Sequence, residues 1–390
     1  MVFFMDGFIF VPMKALLTFI FCFLFLSCIA QQADVDFVME RLDSLQIKQD
    51  HFFLPGSYPS YINNKQKFSR KKKDITVFYN ILIDLTLQKL KPKLDTEQNV
   101  LADSLLMRSV KMYPRFKNKT RNTYNFWRKD SAYKFPYSWW IPLIKKDAIV
   151  PDDMDDTSLE QLINTNDSAE ALHRLMQQFV HVPDKKIKTT AKKYRNYNAY
   201  STWFGKKFPV VFDVAVLSNM LSFVQACNLP WTHADSASLQ LITATIKNKD
   251  YIYHPLYVSP YYGKTAILLY HFARLMQIKK IDELEQLKPD LVKECYHQLD
   301  VTNNLLVKII CANALYRFGE RMPEIALPNR DELIKQIEEN DFPFFIGNIP
   351  SYLHYGMKKF LTQRKLLLYY HYCPAYNDAL LLEYLADKNE

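Results

Sequence analysis

Segments that are apolar on nearly every side alternate along this chain with segments that are apolar on one side only. Residues 209–224, 264–276 and 303–318 are of the first kind, and 284–299 and 330–340 of the second. A helix that is apolar all round must be enclosed by protein, whereas an amphipathic helix can cover it from outside. Two concentric layers of helices, an α/α toroid, meet both demands. The expectation is therefore an all-α chain with a single toroidal domain over 75–390. An open solenoid of helix pairs ranks second, because no fixed repeat is visible. The chain has 7 glycines among its 390 residues, which weighs against a sheet-rich fold. It contains no GxGxxG and no GxxxxGK[ST], so no nucleotide cofactor is expected.

Helical spacing is read at 75–90 and 95–112, a hairpin broken at Lys91-Pro92, then at 158–164, 168–180 and 235–246. Residues 184–195 and 254–263 read as loops, and 361–370 and 377–385 as the last apolar segments. Residues 31–74 form an N-terminal extension. Ahead of it, Met13-Lys14, the apolar run 15–25 and the small residues up to Ala30 have the pattern of a secretory signal. Cleavage after Ala30 is expected, with Met13 as an alternative start. A lipid-modified Cys28 and an uncleaved anchor are the alternatives. The mature chain is expected outside the cytoplasm, periplasmic or secreted. No later run is long and apolar enough to span a bilayer.

Cys227, Cys295, Cys311 and Cys373 remain after that cleavage, far apart and without a CxxC pair. No zinc site is expected and no disulfide can be assigned; free buried thiols are the simpler outcome. The net charge is +9, with clumps at 70–73 and 185–195. Such clumps attract an anionic substrate, an acidic glycan or a lipid surface, and a solvated face explains them equally well. An exported chain without a reading module is not expected to bind nucleic acid.

Asp152-Asp153-Met154-Asp155-Asp156-Thr157-Ser158 places four carboxyls in five positions. Shielded from water, such a cluster retains protons, because neighbouring like charges raise one another's pKa. A retained proton facing a dry cavity can be given to a substrate. The structural alternative is a helix start, with Thr157 and Glu160 as a capping box and the acids at the positive end of the helix dipole.

The same residues, Asp153, Asp155, Asp156 and Thr157, resemble the DxDDT[AS] motif of class II terpene cyclases, the family of squalene–hopene cyclase. The resemblance covers about eight residues plus the helical rhythm. The glutamine–tryptophan repeats of triterpene cyclases are missing, and the chain is shorter than two-domain cyclases. The resemblance implies an α/α toroid in which Asp155 is the general acid that protonates an isoprenoid alkene or epoxide, with Asp153 and Asp156 orienting it. It implies neither metal nor cofactor. Aromatic faces would stabilise the carbocation, each worth up to about 2 kcal/mol when desolvated; Trp139, Trp140, Trp203, Phe204 and Tyr262 are the candidate rings. Asp152-Asp153-x-x-Asp156 also spells the class I DDxxD pattern, but no second magnesium motif accompanies it.

Other polar residues read as structural. Asp213 and Asn219 lie in an apolar run and need partners. Asp235 reads as a helix cap and His271 as a core histidine; His173 and His181 show no convincing partner. The loop with His254, Tyr257, Tyr261 and Tyr262 reads as rim packing, with sugar binding as its functional alternative. Three function classes follow: a cyclase-like enzyme, an exported glycan-active lyase or hydrolase, and a non-catalytic toroid that binds a ligand. Fold alone does not separate them.

Overall fold

Burial divides the helices into two kinds. In a computed structural model, which describes residues 34–129, 150–164, 168–180, 187–206 and 208–388, every residue of Pro374–Asp387 is buried. Of Lys288–Val301, only Leu291 and Cys295 are. Apart from three single-turn helices (Asp250–Tyr253, Pro255–Val258 and Asp282–Glu285), the helices in chain order are α1 (34–45), α2 (Phe78–Leu90), α3 (Thr96–Val110), α4 (Met154–Ile163), α5 (Ala169–Met176), α6 (Val214–Ala226) and α7 (His233–Lys247). They continue as α8 (Thr265–Ile278), α9 (Lys288–Val301), α10 (Leu305–Arg317), α11 (Arg330–Glu338), α12 (Tyr355–Gln363) and α13 (Pro374–Asp387).

The enclosed helices are neighbours in a definite sequence. α2 packs on α4, α4 on α6, α6 on α8, α8 on α10, α10 on α13, and α13 again on α2. The amphipathic helices lie against them: α3 on α2, α7 on α6, α9 on α10, and α11 on α13. α1 lies over α3 and α11, to which it is tied by Gln98 donating to Asp36 (2.6 Å) and by the Arg41–Glu338 ion pair (2.6 Å). The helices expected from the apolar pattern are thus present and packed on one another.

To that body the structure adds a four-stranded antiparallel sheet, in the order β2-β1-β6-β5. Its strands are β1 (Ser60–Asn63), β2 (Lys72–Asp74), β5 (Phe345–Asn348) and β6 (Leu368–Tyr372). A short hairpin, β3 (Lys117–Asn118) with β4 (Thr123–Tyr124), lies between α3 and α4. The apolar segment 361–370 divides: its first residues end the helix Tyr355–Gln363 and its last enter strand β6. That strand is buried on both faces, so it lacks the alternation that marks a strand with one wet side. On one face Ile346, Leu368, Tyr370 and Tyr372 close over Phe68. On the other, His371 and Phe345 turn towards Phe126, with ring centroids 5.4 and 4.9 Å away.

Buried charge ties four of the enclosed helices together at the C-terminal ends of α2, α10 and α13. Glu383 accepts from Arg317 Nε (2.8 Å), Lys89 Nζ (3.0 Å) and Tyr270 Oη (2.6 Å). Lys93 pairs with Asp387 at 2.9 Å. Burial opposes ionisation of Glu383, but Arg317 and Lys89 overcome it and hold its carboxyl well below the usual range. The four cysteines are free thiols, Cys227 half-buried and the other three buried.

Asp84, inside α2, accepts from the Tyr113 hydroxyl, and burial nevertheless pushes it up to about 8. A carboxyl whose folded pKa is raised destabilises the folded state as pH climbs, because the unfolded chain gives up its proton first. Stability should therefore fall between about pH 4 and 8, with a contribution from Asp84 approaching 1.4 kcal/mol per pH unit. Urea titrations across that window should show a shallower decline for Asp84→Asn. An unchanged slope would mean that Asp84 is ionised in the folded protein.

Candidate active site at the acidic cluster

Two extended segments grip the acidic stretch before it enters α4. Asp153 N–H donates to Tyr124 O (2.7 Å), Met154 N–H to Thr202 O (3.0 Å), and Phe204 N–H to Asp152 O (3.0 Å). Asp153 thereby bridges both Tyr124 and Trp203. Gly205 makes the second approach feasible, since a Cβ there would meet Pro151 Cγ at 2.7 Å.

The helix starts four residues earlier than the capping-box reading implies. Asp153 is the N-cap, its Oδ1 accepting from Asp155 N–H at 2.6 Å. Thr157 is already inside α4; its hydroxyl donates to Asp153 O (2.6 Å) and accepts from Tyr124 N–H (2.9 Å). An aspartate with extended backbone caps as well as a threonine does, and here tertiary pairing of Asp153 decides between them.

The four carboxyls have different environments. Asp152 accepts from Lys129 (2.9 Å), Arg121 (2.6 Å), Asn118 (2.6 Å) and Thr123 (2.7 Å). Burial alone would raise its pKa, but these donors outweigh it and keep the group below its ordinary value. Asp152 is thus the ionised anchor of the β3–β4 hairpin. Asp153, Asp155 and Asp156 are 3%, 2% and 0% exposed, and all three are pushed up. For Asp153, burial comes first and the Asp155 charge second; for Asp156, burial comes first and then Asp153 and Asp155. Neither carboxyl oxygen of Asp156 has a hydrogen-bond partner among the described residues.

Asp155 is pushed up by burial as well, but three neighbours act against the rise. Asn219 Nδ2 donates to its Oδ1 at 2.7 Å, the Tyr262 hydroxyl donates to its Oδ2, and Arg274 bears on it electrostatically. Arg274 in turn donates to Asn219 Oδ1 at 3.1 Å. Asn219 thus bonds between helices, as its apolar surroundings require. Asp213 lies outside the helix interior: it is the N-cap of α6, also accepts from Tyr261 N–H (2.8 Å), and is raised by burial to about 6.

Of the expected aromatic residues, Tyr262 touches Asp155 directly. Trp203 and Phe204 flank the acidic stretch through their backbones, and the Trp203 indole donates to Tyr261 Oη at 3.1 Å. Trp139, Trp140 and His181 lie outside the described residues, as do the signal segment and Cys28. Tyr261 and Tyr262 are buried and Pro255–Val258 forms a short helix, which corrects the reading of 254–263 as a loop packed on the rim. The sequence reading missed Phe78, Phe344 and Phe345, whose rings stand 6.0, 6.0 and 5.6 Å from Tyr262. It missed Arg274 too, although a lone arginine in an apolar helix signals a buried acceptor.

His271 lies 4.6 Å from the Tyr262 ring. Its Nδ1 lies 2.8 Å from Ile267 O, Nε2 has no partner among the described residues, and burial holds it neutral, well below its ordinary pKa. His173, by contrast, has a partner the sequence did not reveal: Asp235, at 3.0 Å, which also forms a capping box with Thr232. Among the described residues no group of His, Cys, Asp and Glu is arranged to hold a metal ion.

Compared with known proteins, the chain matches no family model, no curated protein and no solved structure.

Proposed function

We propose that the protein is a general-acid enzyme of the terpene-cyclase type, with Asp155 giving its proton to an isoprenoid alkene or epoxide. The observation that carries the reading is the pairing of three water-shielded carboxyls with a single site, Asp155, where the conjugate base is supported. A proton donor to a carbon–carbon double bond must be a strong acid and must still be protonated when substrate arrives. Burial and the crowding of Asp153 and Asp156 keep protons in the cluster. Asn219, Tyr262 and Arg274 make Asp155 the member that releases one at least cost. Asp153 holds the start of α4, and Asp156 adds to the crowding that keeps protons in the cluster. The rings of Tyr262, Phe78, Phe344 and Phe345 supply the apolar, π-rich surroundings that a carbocation needs.

The toroid belongs to the same proposal. The closed succession α2-α4-α6-α8-α10-α13, with amphipathic helices outside it, supports an inner ring of six helices whose N-terminal end holds the acids. All the acids are buried, so substrate entry requires the aromatic cover to part from Asp155. Export by residues 1–30 is likewise part of the reading.

Incubation of the protein with linear isoprenoid polyenes and their epoxides in D2O tests the proposal. Cyclic isomers are expected, with one carbon-bound solvent deuterium when they come from polyenes and only an exchangeable one, on the new hydroxyl, when they come from epoxides; no cyclic product across the series would reject it. Neutral His271 beside Tyr262 favours a second reading, proton abstraction from a glycan. Shortened chains from acidic polysaccharides in the same assay would establish that reading instead.

A further inference from the structure

At the opposite end of α6 from the acids, the chain builds a pocket. Residues Gln225 and Asn219 share one helix, and Gln225 lies about 18 Å along its axis from the Asp213 cap, by the helical rise per residue. α6 ends there in a Schellman turn. Asn228, at φ 50°, occupies the left-handed position, with Asn228 N–H bonding Gln225 O (3.0 Å) and Leu229 N–H bonding Val224 O (2.9 Å). This turn delivers Trp231 to the surface, where its side chain is 38% exposed. Trp231, Gln225, Gln240, Thr243 and the segment 279–283 line a cavity of about 410 Å³ between α6, α7 and the connection from α8 to α9.

Gln225 is 6% exposed, and its side-chain carbonyl oxygen is buried with no hydrogen-bond partner among the described residues. That oxygen is closed to solvent as it stands, so a ligand donor pairs with it once the Gln225 amide turns toward the cavity it lines. An indole face beside amide and hydroxyl groups suits a molecule that is apolar on one side and rich in hydroxyls at its edge. Lys279 and Lys280 are balanced by Asp282 and Glu283, so the rim does not select for charge.

We propose that this pocket binds a neutral saccharide unit, with one sugar face stacked on Trp231 and a ring hydroxyl donating to Gln225 Oε1. The site is separate from the acidic cluster and does not depend on what that cluster catalyses. Cellobiose, lactose and N,N′-diacetylchitobiose, titrated against the full chain and followed by tryptophan fluorescence and calorimetry, test it. Saturable binding of at least one is expected, weakened at least tenfold in Trp231→Ala and in Gln225→Met. Circular dichroism of each variant separates lost binding from lost fold, and Trp231→Phe should restore part of the affinity. No binding of any of the three sugars, equal binding by Trp231→Ala, or preference for a digalacturonate over all three would overturn the proposal.

Discussion

Replacing Asp155 by asparagine should lower turnover by about 10²–10⁴-fold, the usual contribution of a positioned general acid, while the protein remains folded. Asparagine keeps the shape of the side chain and can still accept from Asn219 or Tyr262. It also removes one of three crowded acids, so stability should stay level or rise. Asp152→Asn provides the contrast. It takes the charge from the group that pairs with Arg121 and Lys129, so stability should fall while turnover is reduced far less. Product formation and urea midpoints, measured on both variants, separate the two roles. Full activity in Asp155→Asn would remove the proton donor from the mechanism.

The largest stability loss is expected from Arg317→Met. Arg317 is 6% exposed and Glu383 fully buried. The substitution leaves Glu383 with Lys89 and the Tyr270 hydroxyl only. Removing one partner of a buried pair costs about 3–5 kcal/mol, because the remaining charge stays desolvated. Adding Glu383→Gln to Arg317→Met should recover part of that loss, and a double-mutant cycle from urea denaturation measures how much. The pH dependence has a definite sign. The folded Glu383 carboxyl titrates below its unfolded value, so its contribution is present above that unfolded value and disappears as pH falls through the folded one. Acid should therefore destabilise the parent more than the double variant.

The enclosed helices were legible because being apolar all round leaves a helix few places to go. Residues 264–276 and 303–318 correspond closely to α8 and α10 for that reason. The acidic stretch was legible as chemistry but not as geometry. Nothing local tells Asp153 from Thr157 as the cap, because the choice is made by Tyr124 and Thr202 binding the backbone from remote parts of the chain. Arg274, Asn219 and Tyr262 lie on different segments, and only the packing of α4, α6 and α8 brings them to Asp155. Strand β6, with Tyr369, Tyr370, His371 and Tyr372 buried on both faces, carries no period that separates it from a helix. The partner of His173 was hidden in the same way, since Asp235 is 62 positions away.

The pairing of Tyr61 with Tyr372 sets an order of assembly. Strand β1 and helix α2 emerge from the ribosome long before their partners β6 and α13. Loop closure over such a span is slow to nucleate. The early segments must therefore wait, unpaired and apolar, until β6 and α13 arrive to cover them. A chain that finishes only with its last strand should be found either fully closed or broadly open, with little in between.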